Sequence, residues 1–123
     1  MMPLWKIKRE LLKMIMEASK SSYPDEFGAF LRAKHGIIYE LVMLPGTLSG
    51  GRSVIYNLMM KPIDFTIVGS VHSHPSGVPL PSEADLRMFS RTGDVHIIVA
   101  YPYTLTSWKA YNRIGEEIDV KVI

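Results

Sequence analysis

Two stretches of this chain, residues 65–73 and 95–101, are rich in apolar and β-branched side chains without regular alternation, and this constrains the fold more than any other feature. A strand with one face in water alternates, so strands apolar on both faces must lie inside a sheet that is covered on each side. Around them the period changes. Ile7, Leu11, Met14, Ile15 and Ala18 recur at intervals of three and four, the stripe of an amphipathic helix over residues 7–20. Ser21, Ser22, Tyr23 and Pro24 should end it, because a proline restricts the residue before it. Residues 27–34 and 37–44 read as two strands of a hairpin closed at His35-Gly36. Residues 45–52 read as a loop, 53–59 as an extended stretch, and Lys61-Pro62 as a turn. The three prolines and one glycine of residues 75–81 require a loop, and a second helix begins at Ser82, runs over 83–90 and stops before Gly93. Residues 107–112 and 118–123, separated by Gly115, read as a closing hairpin. Mixed helices and interior strands predict an α/β fold, a mixed β-sheet flanked by helices.

The chain has 123 residues, which suits one hydrophobic core and predicts a single domain over residues 1–123. Fourteen basic residues against twelve acidic ones give a net charge of +2, and only Lys6, Lys8, Arg9 and Lys13 are grouped. That group reads as the solvated face of a helix, so neither a nucleic-acid nor a membrane partner is expected. No apolar run reaches the length of a spanning helix, and the first residues interleave charge with Leu and Ile, so a cytoplasmic protein is expected. There is no cysteine, which removes disulfides, thiolate ligands and a cysteine nucleophile. Any metal must be held by histidine and carboxylate.

The run Val71-His72-Ser73-His74-Pro75 followed by Ser82-Glu83-Ala84-Asp85 carries the chemistry. Side chains two apart on a strand point the same way, so His72 and His74 can present both rings to one point while Ser73 faces away and reads as structural. Asp85 falls in the first turn of the second helix, within reach of the strand end. Two imidazoles and one carboxylate leave a fourth tetrahedral position free, as at catalytic zinc sites. Each residue alone has a plainer reading: Ser82 and Asp85 as a helix cap, and the histidines as strand-end residues paired with backbone groups. Together the three fit a single site. His96, in an apolar strand, reads as a core histidine.

Glu26, then His72-Ser73-His74-Pro75, Ser82 and Asp85 together resemble the signature of the JAMM (MPN-plus) metallopeptidases: a distant glutamate, His-x-His, ten residues and Asp, with a serine in the spacer. Val68-Gly69 before the histidines and His96-Ile97-Ile98-Val99 after the second helix extend the likeness to the minimal archaeal-type members over nearly the whole chain. The resemblance implies a cytidine-deaminase-like fold, one zinc ion per chain on His72, His74 and Asp85, Glu26 as general base and Ser82 as oxyanion donor. It further implies hydrolysis of peptide or isopeptide bonds at the C-termini of ubiquitin-like modifiers, with residues 47–59 as the edge that receives the substrate tail, and leaves a homodimer open. Ala29 stands where the family commonly has glycine, and its methyl group is expected to narrow the space beside the site. Two other readings stand beside this one: a modifier-binding scaffold that keeps the motif without activity, and the two-histidine, one-carboxylate triad of a non-haem iron enzyme. A zinc deaminase is excluded, because it needs cysteine ligands.

Overall fold

The computed structural model describes residues 5–43, 58 and 64–123. Their elements are β1 (Trp5–Ile7), α1 (Arg9–Ser22), β2 (Gly28–Lys34), β3 (Ile37–Val42), β4 (Ile67–His74), α2 (Glu83–Thr92), β5 (Val95–Ala100), β6 (Trp108–Tyr111), β7 (Glu117–Ile118) and β8 (Val120–Val122). The strands form one mixed eight-stranded sheet in the order β7-β6-β5-β4-β2-β3-β1-β8. β4 and β5 lie at its interior, as their doubly apolar character requires, and every residue of β5 is buried.

Alternation distributes the core to the two faces. Ala29, Leu31, Val71, Ile97 and Val99 pack with Leu11, Leu12, Ile15 and Met16 of α1. Phe30 and Ile98 pack on the other face with Met88 and Phe89 of α2 and with Tyr111. Each fully buried side chain of this size contributes roughly 1.5–3 kcal/mol of transfer free energy, so both helices are held by the stripe they bury.

The pairing of β2 with β4 slips by one residue: Leu31 faces Gly69 but Arg32 faces Ile67. Val68 is the extra residue of a bulge, and it resets the phase of β4. Val68 and Val71 therefore both turn to the α1 face. Ser70, His72 and His74 turn to the α2 face, where Ser70 Oγ lies 3.3 Å from Met88 Sδ. β4 and β5 are parallel neighbours in register from Gly69↔Val95 to His74↔Ala100, and α2 connects them. This connection brings the first turn of α2 back over the C-terminal end of β4, the region where open α/β sheets commonly bind ligands.

Several expected boundaries change. Ile7 belongs to β1, not to the first helix: it pairs with Ile38 of β3 and Val122 of β8, and Lys8 is extended before α1 begins. Helix α1 includes Ser21 and Ser22 and stops at Tyr23, since the proline restriction reaches only the residue directly before Pro24. Helix α2 runs two residues past the expected 83–90, to Thr92. The expected closing hairpin is split. Glu117–Ile118 pairs antiparallel with β6, but Val120–Val122 leaves to pair parallel with β1 at the opposite end of the strand order. Only Asp119 separates them, and three consecutive residues span at most about 7 Å, so the two edges of the sheet meet there. Ile118, Val120 and Val122 also pack against the α1 cluster, so the sheet curls around that helix.

The hairpin at His35-Gly36 is present, and both residues have positive φ (54° and 76°), the requirement of the two-residue turn that matches strand twist. No helix among the described residues is long and apolar enough to cross a membrane. The expected loop at 45–52, the extended stretch 53–59, the turn at Lys61-Pro62 and the tail-receiving edge at 47–59 lie outside the described residues, apart from Leu58, which is buried in the α2 cluster.

Candidate metal centre

His72 and His74 stand at the end of β4 on the face toward α2, with their Nε2 atoms 3.0 Å apart. Asp85 lies across from both. Its Oδ1 is 3.1 Å from His72 Nε2 and its Oδ2 is 3.1 Å from His74 Nε2. His72 is fully buried and Asp85 is 2% exposed, whereas the His74 side chain keeps some access to solvent.

The supports of these groups decide their chemistry. His74 Nδ1 lies 3.0 Å from the carbonyl of Val78, which can only accept, so this nitrogen carries the proton and a neutral ring has a bare Nε2. A histidine ligand requires that tautomer. Asp85 is locked by a capping box, in which Ser82 N donates to its Oδ2 at 2.9 Å and its own N donates to Ser82 Oγ at 3.1 Å. Burial pushes the Asp85 carboxyl upward, but its contacts with His72 and His74 outweigh this and hold it well below the usual carboxylate range. His72 Nδ1 is buried with no partner among the described residues.

Glu26 reaches the site from the segment just before β2. Gly28 pairs with His72, and Phe27 is fastened to Ser73 twice: Ser73 N donates to Phe27 O at 2.9 Å, and Phe27 N donates to Ser73 Oγ at 2.8 Å. Ser73 is thus structural, as expected, and holds the residue next to Glu26. One carboxylate oxygen of Glu26 and one ring nitrogen from each of His72 and His74 lie within 4.8 Å of one another. Burial raises the Glu26 pKa, only partly offset by His72 and His74. Asp25 is exposed.

The donor set suits a zinc ion. Two ligand atoms at about 2.0–2.1 Å from a tetrahedral metal stand about 3.3 Å apart. The two histidine nitrogens are 3.0 Å apart, and each lies 3.1 Å from a different oxygen of the Asp85 carboxylate, close to that spacing.

Ala29 departs from expectation. Its methyl group packs in the α1 cluster beside Val71, on the face opposite the histidines, so it does not narrow the site. His96 is a core histidine: its Nε2 donates to the Gly93 carbonyl at 2.8 Å, its Nδ1 lies 2.8 Å from Ser70 Oγ, and its ring stacks on Phe89 at 4.3 Å. Sequence reasoning missed the Val78 carbonyl, which has no side-chain signature. It also missed Tyr111, whose hydroxyl holds the same loop.

A curled mixed sheet flanked by α1 and α2, with histidines at the end of an interior strand facing a capped helix, is the arrangement of an α/β protein with a candidate metal site. The chain belongs to the JAMM/MPN family: residues 8–111 match the model of prokaryotic homologs of the JAB domain. A probable metalloprotease of Haloferax volcanii is 35% identical over 127 residues, covering 95% of this chain and 78% of that protein. A JAB1/MPN domain protein from Archaeoglobus fulgidus has a similar solved structure, with 43% identity, TM-score 0.79, and coverage of 99% of this chain and 100% of that one. A structure described as a JAMM metalloprotease-like zinc site in the proteasome and signalosome is 46% identical, with TM-score 0.79 and coverage of 98% and 99%.

Proposed function

We propose that this protein is a zinc-dependent metallopeptidase that hydrolyses peptide or isopeptide bonds at the C-termini of ubiquitin-like modifier proteins. The carrying observation is the convergence of His72, His74 and Asp85 at 3.0–3.1 Å with a half-buried glutamate beside them. Family membership and the naming of a relative as a probable metalloprotease support the hydrolytic chemistry. The modifier as substrate rests on the family resemblance.

His72, His74 and Asp85 would hold one zinc ion per chain, with His74 oriented by the Val78 carbonyl and Asp85 by Ser82. Bound there, zinc supplies a Lewis acid for a carbonyl and lowers the pKa of water towards 7. Glu26 takes the proton from the attacking water at its carboxylate. As the carbon–nitrogen bond breaks, the same carboxyl delivers that proton to the departing amine. A carboxyl with a raised pKa suits both halves of this transfer better than an ordinary one. Ser82 Oγ uses a lone pair to accept from Asp85 N, so its O–H remains available to donate to the oxyanion. The start of α2 adds the positive end of the helix dipole at the same place.

The test uses purified protein and fusions of ubiquitin-like modifiers from its own source. About one zinc per chain and cleavage after the modifier terminus that stops with a zinc chelator are expected. Cleavage surviving exhaustive chelation, or zinc-loaded protein that binds the modifier without cutting any fusion, would overturn the proposal.

A further inference from the structure

The loop at 75–81 carries the carbonyl that fixes the His74 tautomer, yet it has few ties of its own. Ser76, Gly77, Val78 and Leu80 are exposed, and the backbone hydrogen bond among the described residues that closes it, Gly77 N to His74 O, is long at 3.4 Å. A firmer anchor comes from across the sheet. The hydroxyl of Tyr111, on β6, donates to the carbonyl of Pro79 at 2.6 Å. Tyr111 is 3% exposed and its ring lies against Phe89 of α2, with centroids 6.0 Å apart and planes at 22°. The phenol is therefore a fixed donor, placed by the core.

We propose that Tyr111 is a positioning residue for His74, holding its ring in the metal-binding orientation through the Pro79 and Val78 carbonyls. These carbonyls belong to consecutive residues, so fixing one leaves the other little freedom. His74 Nδ1 then finds the Val78 oxygen already in place at 3.0 Å. Without the Tyr111 hydroxyl the Pro79 peptide can turn toward solvent, the Val78 carbonyl follows, and the His74 ring loses the partner that keeps Nε2 bare. The groups that orient histidine ligands affect metal affinity substantially although they never touch the metal. The proposal rests on the reading of His74 as a zinc ligand.

The experiment measures zinc affinity by chelator competition for the wild type, Tyr111→Phe and Trp108→Phe. Tyr111→Phe keeps the ring and removes only the hydroxyl. Trp108→Phe removes a side-chain hydrogen bond from the same strand, Trp108 Nε1 to Leu105 O at 2.8 Å, which does not involve the 75–81 loop. Tyr111→Phe should bind zinc about tenfold more weakly, the lower end of the effect of losing an outer hydrogen-bond partner. Its zinc-free melting temperature should fall no more than that of Trp108→Phe, whose zinc affinity should match the wild type. In the zinc-loaded Tyr111→Phe protein, the His74 Nδ1 proton should exchange with water faster. Equal zinc affinity of Tyr111→Phe and wild type, or equal weakening in Trp108→Phe, would overturn the proposal. A wild type that binds no zinc would instead remove the ligand reading beneath it, and the proposal with that reading.

Discussion

Glu26 and Asp25 are adjacent carboxylates with different surroundings. Asp25 is exposed, and its backbone N donates to Ser22 O at 2.8 Å. Glu26 is half-buried beside His72 and His74, and burial raises its pKa. Of the two carboxylates, Glu26 is the one grouped with the histidines. Glu26→Gln should retain zinc and fold while losing about a hundred- to ten-thousandfold in turnover, the usual loss on removing a general base. Asp25→Ala should be close to wild type. Steady-state rates with zinc content measured on the same samples check this; an active Glu26→Gln with an inactive Asp25→Ala would move the base by one residue. Asp85 is equally informative, because its carboxylate faces both histidines and the Ser82 backbone at once.

That double use links the site to an element. Helix α2 begins with a capping box, and one member of the box is the candidate ligand. Asp85→Ala should lose zinc and, in the zinc-free protein, about 0.5–2 kcal/mol of stability, the usual cost of a lost cap. Asp85→Asn keeps an oxygen for Ser82 N but loses the charge, so it should lose zinc with a smaller stability loss. Denaturant unfolding of both zinc-free variants separates the two effects, and equal losses would show that the cap contributes nothing. The β4–β5 pair is equally exacting. A Cβ on Gly69 would stand 1.5 Å from the Val95 carbonyl oxygen, so side chains larger than hydrogen force the strands apart. Gly69→Ala should cost about 3 kcal/mol or more, at the upper end of overpacking. Denaturant unfolding near the wild-type midpoint would contradict this close approach.

At the scale of the molecule, His96 ties three elements together: its own β5, Ser70 of β4, and the Gly93 end of α2. Burial pushes its pKa down from 6.5 to about 4. The folded state therefore holds it neutral, and its contribution is present above about pH 6.5 and lost as pH falls through about 4, because over that window the unfolded chain binds a proton the folded one does not. The loss is on the order of 3 kcal/mol. Measured on zinc-free protein, the stability advantage of wild type over His96→Asn should shrink between pH 7 and pH 4; an advantage constant with pH would refute the assignment. The curled sheet adds a second long-range tie. Arg9 N, at the start of α1, donates to Ile123 O at 2.7 Å, and Ile123 N donates to Ile7 O at 2.9 Å. The Ile123 carbonyl thus accepts from one backbone N–H of a helix N-terminus for which Lys8 makes no side-chain cap.

What the sequence determined by itself is what acts over a few residues. The two-residue period of a strand put His72 and His74 on one face and Ser73 on the other. The φ demands of a tight turn put His35-Gly36 at the hairpin, and capping chemistry started α2 at Ser82. Glu26 was legible only through the family pattern, since nothing local separates it from Asp25. The tertiary structure decided the rest. Ile7 fits a helical stripe and a strand equally well, and its pairing with Ile38 and Val122 chose the strand. Val120–Val122 paired with β1 instead of β6, which packs Val120 and Val122 against the cluster of Ile7, Leu11 and Leu12, more than a hundred positions away. The bulge at Val68 selected the face the histidines use, and alternation on β2 sent the Ala29 methyl away from them. The Tyr111 hydroxyl reached the Pro79 carbonyl only when β6 was laid beside β5. Backbone preferences and side-chain periods are local energies written residue by residue, whereas the pairing of distant strands is selected by the packing of the whole core.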